Sequence, residues 1–179
     1  MNTQRANLLQ TISIWLLLLK EKNLDNLFFN MSENLSYHLY IDTNVLINYF
    51  TGQTDDVNCL NFLFKRTEKL YTSTLALVQM VTQLQNKTSK RKPFKKEKIF
   101  ECLDFIRQKI TILEVSEDDV FYFKKKTFVG NDIEDFIHYS ISKKISCGKI
   151  ITNDTGHFLN FVGIEALEPY KYLALKKKK

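Results

Sequence analysis

Cysteine is scarce in this chain of 179 residues, at three, and Cys59, Cys102 and Cys147 stand far apart. Their spacing matches neither a zinc-ligand set nor a disulfide framework. Cys59 and Cys102 fall within apolar helical patterns, so buried reduced thiols are expected, which favours a cytoplasmic compartment. Long apolar runs are also missing. The run Ile14–Leu19 is far shorter than the roughly 20 residues a membrane-spanning helix needs. No small-residue cleavage site follows it, so it does not read as a signal peptide, and no membrane contact is expected. Residues 1–36 lack net charge, because Arg5, Lys20 and Lys22 balance Glu21, Asp25 and Glu33. The whole excess of +6 therefore belongs to the rest of the chain, where it suits a polyanionic partner. No internal repeat is visible, and the one low-complexity stretch is Lys176–Lys179.

What is present is a globular α/β pattern. A hydrophobic content of 44% with 13% aromatic residues supports a packed core, and the length suits one domain. Residues 4–20 read as an amphipathic helix, with Leu8, Leu9, Ile12, Trp15, Leu16 and Leu19 on one face. A lone helix of this length is marginal in water, so that face is expected to pack on the remaining domain or on a second subunit, as in a homodimer. Strands are predicted at 38–42, 70–73, 111–115, 149–152 and 164–167. Helices are predicted at 44–51, 55–68, 74–86, 94–109, 116–126, 132–144 and 155–161. This alternation predicts a three-layer α/β/α sandwich around a mostly parallel sheet of about five strands. The division is a helical extension (1–36), a domain (37–175) and a basic tail (176–179).

Acids gather at the ends of these strands. Leu39–Tyr40–Ile41 delivers Asp42 to a strand tip, and Lys149–Ile150–Ile151–Thr152 runs into Asn153–Asp154. Between them, Asp132–Ile133–Glu134–Asp135 opens a helix. In an open α/β sheet, ligands bind outside the carboxyl ends of the strands. Two carboxylates about 4 Å apart repel by roughly 4 kcal/mol at an effective dielectric near 20, so several can share one point only if a cation joins them. Oxygen-only ligation points to Mg²⁺ or Mn²⁺. Each acid also has a plainer use. Asp42 can cap the following helix, Asp132 and Asp135 can complement a helix dipole, and Asn153–Asp154–Thr155–Gly156 can be a turn. Asp132 and Asp135 are three apart and share a helix face, with Glu134 pointing elsewhere and Ile133, Ile137 and Ile141 facing the sheet. His157 reads as a partly exposed helix residue, and neither His38 nor His138 has a partner that spacing identifies.

Four stretches taken in order, Tyr40–Leu46, Thr72–Leu77, Asp132–Phe136 and Ile151–Phe158, resemble the PIN-domain ribonucleases, in particular the VapC-like toxins of toxin–antitoxin pairs. The resemblance covers roughly residues 37–175. It implies a metal-dependent endoribonuclease in which Asp42, Asp135 and Asp154 hold Mg²⁺ or Mn²⁺, with Asp132 as a further ligand or a neighbour of one. It also implies in-line attack leaving a 5′-phosphate and a 3′-hydroxyl, and a cognate antitoxin as partner. Asn44, Gln79, Thr152 and Asn153 are the expected surrounding residues. Gln79 stands where the family commonly carries glutamate. Its amide offers an oxygen but no charge, and it cannot act as a base.

The segment Lys87–Lys98 carries seven basic residues against Glu97 alone, including Lys90, Arg91, Lys92 and Lys95. With Phe94 and Phe100 it is read as an RNA-binding patch, although such runs are often only solvated faces. Three other readings stay open. One is a non-catalytic PIN module binding RNA or protein. Another is a phosphoryl-accepting receiver or phosphatase, which Asn44 and the position of Lys149 disfavour. The third is a docking subunit that uses residues 1–36.

Overall fold

The computed structural model describes residues 38–86, 92–121 and 132–177. The extension over 1–36, its expected helix, Lys90, Arg91 and the last two residues lie outside the described residues. Five strands form one sheet: β1 (His38–Ile41), β2 (Lys69–Ser73), β3 (Thr111–Leu113), β4 (Lys149–Ile151) and β5 (Glu165–Leu167). Their order is β3-β2-β1-β4-β5, and every neighbouring pair is parallel. The expectation of a mostly parallel sheet thus sharpens to a wholly parallel one.

The helices are α1 (Thr43–Thr51), α2 (Thr54–Leu63), α3 (Thr74–Gln85), α4 (Lys96–Lys109), α5 (Glu117–Phe121), α6 (Ile133–Lys144) and α7 (Pro169–Lys177). A 3₁₀ turn covers Thr155–Phe158. The structure departs from the sequence reading at several ends: helix α2 stops at Leu63, strand β3 ends at Leu113, the helix predicted at 155–161 is only the 3₁₀ turn, and α7 is an additional helix. Pro169 opens α7 at the first helical position, where its missing N–H costs nothing. Lys176 belongs to this helix, and its Nζ lies 3.2 Å from Glu68 Oε1.

Alternation along β1 divides the core into two layers. Leu39 and Ile41 join Val45, Leu60, Met80, Ile106 and Tyr172 on one face of the sheet. Tyr40 joins Phe136, Ile141, Ile150 and Phe158 on the other. The centre of the sheet is apolar on both faces, as a covered parallel sheet must be. Each fully buried Leu or Ile contributes about 1.5–3 kcal/mol. Cys59, Cys102 and Cys147 are all buried free thiols.

The ends of these strands double as helix starts. Asp42 caps α1, its Oδ1 accepting from Thr43 N at 2.6 Å. Ser73 caps α3, its Oγ accepting from Ala76 N at 3.1 Å. Helix α1 ends at Gly52, whose φ of 83° is one that a side chain would strain. Register then fixes the site: Ile41 pairs with Ile151, so Asp42 and Thr152 leave the sheet side by side.

Candidate active site

Asp42, Asn44, Gln79, Glu134, Asp135, His138, Asp154 and His157 line a single cavity of about 470 Å³. It opens at the carboxyl ends of the strands, and three of the four sequence-predicted acids reach it. Asp132 does not: it is exposed and caps α6, its Oδ1 accepting from Glu134 N at 3.3 Å.

Asp42 is buried and held on both oxygens. Thr43 N donates to Oδ1, while Asn44 Nδ2 (2.8 Å) and Thr152 Oγ1 (2.7 Å) donate to Oδ2. That leaves about one of the carboxylate's four lone-pair positions unused. Asn44 also binds the other strand tip, its Oδ1 accepting from Asn153 N at 3.0 Å. Thr152 Oγ1 accepts from Asp154 N at 3.0 Å and so shapes the loop that carries Asp154. Asn153 turns its side chain away, donating to Asp56 Oδ1 at 2.6 Å. Asp56 carries no local sequence signal; it is buried, also accepts from Asn48, and its carboxyl pKa is raised by burial against those hydrogen bonds.

Asp135 sits across the cavity. Its carboxyl is pushed up to about 6, first by burial and then by Asp42, Asp132 and Asp154, with His157 opposing. Its Oδ2 is buried with no hydrogen-bond donor in line, although His157 Nδ1 stands 2.9 Å away and forms an ion pair with it when protonated. The other ring nitrogen of His157 lies 3.3 Å from Asp154 Oδ2. His157 is thus half-exposed, as its sequence position suggested, but it faces two of the acids. Among the described residues, no three His, Cys, Asp or Glu side chains already converge closely enough to share an ion.

Two residues of α6 depart from the sequence reading. Ile133 is 42% exposed, because the helix opens at the cavity end and core contact begins only at Phe136. Glu134 does not point elsewhere; it accepts a hydrogen bond from Gln79 Nε2 at 2.5 Å. Gln79 is used at both ends, since its Oε1 accepts from Thr43 Oγ1 (2.6 Å) and meets His138 Nε2 (3.1 Å). A carboxylate can only accept, so Glu134 fixes the orientation of the amide. Gln79 Oε1 is then an acceptor, and His138 Nε2 must carry a hydrogen.

His138 is buried, its pKa is lowered by that burial against the pull of Asp42 and Glu134, and its Nδ1 lies 2.7 Å from Tyr40 Oη. Tyr40 Oη is also 2.8 Å from Ser73 Oγ. The signal for His138 was its place three residues after Asp135 on one helix face.

Of the basic run, Lys92 and Lys95 are described and exposed, while Lys90 and Arg91 lie outside the described residues. Phe94 is partly buried against the core; Phe100 is 53% exposed, with Lys96 Nζ 5.5 Å from its ring. Among the described residues, no helix is long and apolar enough to cross a membrane.

Comparison with known proteins identifies the family and the fold. The model of the PIN domain family matches residues 39–161, and the chain belongs to that family. Its fold is similar to that of VapBC2 from Rickettsia felis bound to a promoter DNA fragment, at 20% identity and a TM-score of 0.54 over 73% of this chain and 98% of that one. A toxin–antitoxin complex from Klebsiella pneumoniae is similar at 18% identity and a TM-score of 0.53, over 74% and 98%. VapC20 from Mycobacterium tuberculosis, a Sarcin-Ricin loop cleaving toxin, is similar at 10% identity and a TM-score of 0.53, over 70% and 98%. No curated protein sequence matches the chain.

Proposed function

We propose that this PIN domain is an endoribonuclease dependent on a divalent cation, Mg²⁺ or Mn²⁺, and that it serves as the toxin of a toxin–antitoxin pair in the cytoplasm. One observation carries the reading: Asp42 and Asp135 from separate elements face one cavity, and Asp135 keeps a buried carboxylate oxygen without an aligned donor. That oxygen and the spare position on Asp42 would be joined by the half-exposed Asp154, once it turns inward, in an all-oxygen donor set suited to a hard cation. Adjustment falls to Asp154 and His157, which share the exposed rim. When bound, the cation supplies an acidified water and offsets charge building on the phosphate. The chain's own residues do the rest. Thr152 and Asn44 hold Asp42 in one rotamer, Asp132 caps α6 so that Asp135 faces inward, and Lys90, Arg91, Lys92 and Lys95 contact RNA phosphates.

Toxin–antitoxin neighbours of the same fold support an antitoxin partner. A small adjacent gene encoding a DNA-binding protein is the expected genomic setting.

The test is RNA cleavage by the full chain with Mn²⁺, with EDTA, and after Asp42→Asn. Cleavage is expected to need the metal and to fall more than about a hundredfold in the variant, with the fold retained. Cleavage that survives EDTA overturns the reading. RNA binding with no cleavage at any metal concentration favours a binding module instead.

A further inference from the structure

We propose that Glu134 supplies the acid that position 79 lacks, held at the cavity by the Gln79 amide across the gap between α3 and α6. The inference rests on the cation-dependent reading above. Gln79 has no oxygen to spare for a cation. Its Oε1 already receives Thr43 Oγ1 and faces His138 Nε2, which uses both lone pairs of an amide oxygen. Its Nε2, the end a glutamate would not have, donates to Glu134 Oε2 at 2.5 Å. Both residues line the same cavity as Asp42, Asp135 and Asp154. Amide and carboxylate therefore form one unit: the amide is oriented by the wall beneath it, and it fixes a negative charge at the mouth. Glutamine at 79 is in this view the partner of glutamate at 134, not an eroded ligand. Glu134 is a positioning residue for the cation, acting by charge.

The test measures Mn²⁺ binding to the full chain by electron paramagnetic resonance, with no RNA present. Glu134→Gln keeps a hydrogen-bond acceptor for Gln79 but removes the charge; it is expected to weaken Mn²⁺ binding at least about tenfold with an unchanged melting temperature. The exchange Gln79→Glu with Glu134→Gln moves the charge to the opposite wall and keeps the amide–carboxylate pair. It is expected to recover affinity to within about threefold of the unaltered chain. Glu101→Gln, on α4 and outside the cavity, controls for net charge and should leave binding unchanged. If Glu134→Gln binds Mn²⁺ as the unaltered chain does, or the exchange stays as weak as the single variant, the inference is overturned. Loss of binding in Asp42→Asn beside normal binding in Glu134→Gln sinks this inference alone and leaves the nuclease reading standing. Failure of the unaltered chain to bind Mn²⁺ sinks both.

Discussion

The two strand tips that meet at the cavity are built to different standards. The tip at Asp42 is buried, and its carboxylate accepts three short hydrogen bonds from Thr43, Asn44 and Thr152. The tip at Asp154 leaves the sheet only three residues after Ile151, yet its side chain and that of His157 are 51% and 53% exposed. One wall is set in advance, and the other is held by ion pairs at the surface. Buried hydrogen bonds to charge are worth about 1.5–3 kcal/mol, whereas exposed ion pairs contribute about 0–1 kcal/mol. A site divided this way holds one carboxylate in place and leaves the other at an exposed rim.

The comparison is most exposed to Thr152→Val. The valine leaves Asp42 Oδ2 and Asp154 N each without the threonine hydroxyl. A loss of about 2 kcal/mol is expected, seen as a fall in melting temperature of about 5 °C or more. A shift within the error of thermal melts would show that the buried tip is no firmer than the rim.

Asp135→Asn tests the boundary between the two walls. Its carboxyl is raised from 3.8 to about 6, so the folded state favours the protonated form. The stability this contributes is fully present below about pH 3.8 and is lost as pH rises through about 6. Asparagine mimics the protonated acid. The metal-free variant should be more stable than the parent by about 1–2 kcal/mol at pH 7, after allowance for partial solvent access, and by little at pH 4. Denaturant titrations at the two pH values check this, and equal gains at both would break the assignment. Metal binding by the parent should strengthen as pH rises through the same window.

His157→Ala should have the smallest effect, below about 0.5 kcal/mol, because its ring is half-exposed and its pair with Asp154 lies at the surface. A loss equal to that of Thr152→Val would erase the distinction between the tips.

The same division governs how much was legible in the sequence. A short apolar strand ending in Asp, or in Thr–Asn–Asp, is a local pattern, so Asp42, Thr152 and Asp154 could be read directly. The order of strands and helices followed from their alternation. The union of Gln79, Glu134 and His138 could not be read. It depends on side chains 55 and 59 residues apart meeting across two helices. Helical periodicity turned Glu134 away from the cavity because it adjoins Asp135, and only the position of α3 brings a partner to it. Asp56 escaped for a related reason: its role is to receive Asn153, 97 residues downstream.

The bonds joining Asn44 and Asp42 to Thr152 and Asn153 bridge 108 to 110 positions of the chain. Contacts of such range are slow to form, because the intervening loop must close before they repay its entropy. During synthesis, a chain that has emerged only as far as α6 holds Asp42 but lacks Thr152, Asn44's second anchor and Asp154. It cannot carry the assembled centre. Under the toxin reading, the order of the strands along the chain is a safeguard in time: a competent cutter exists only once the segment that follows α6 has emerged and docked.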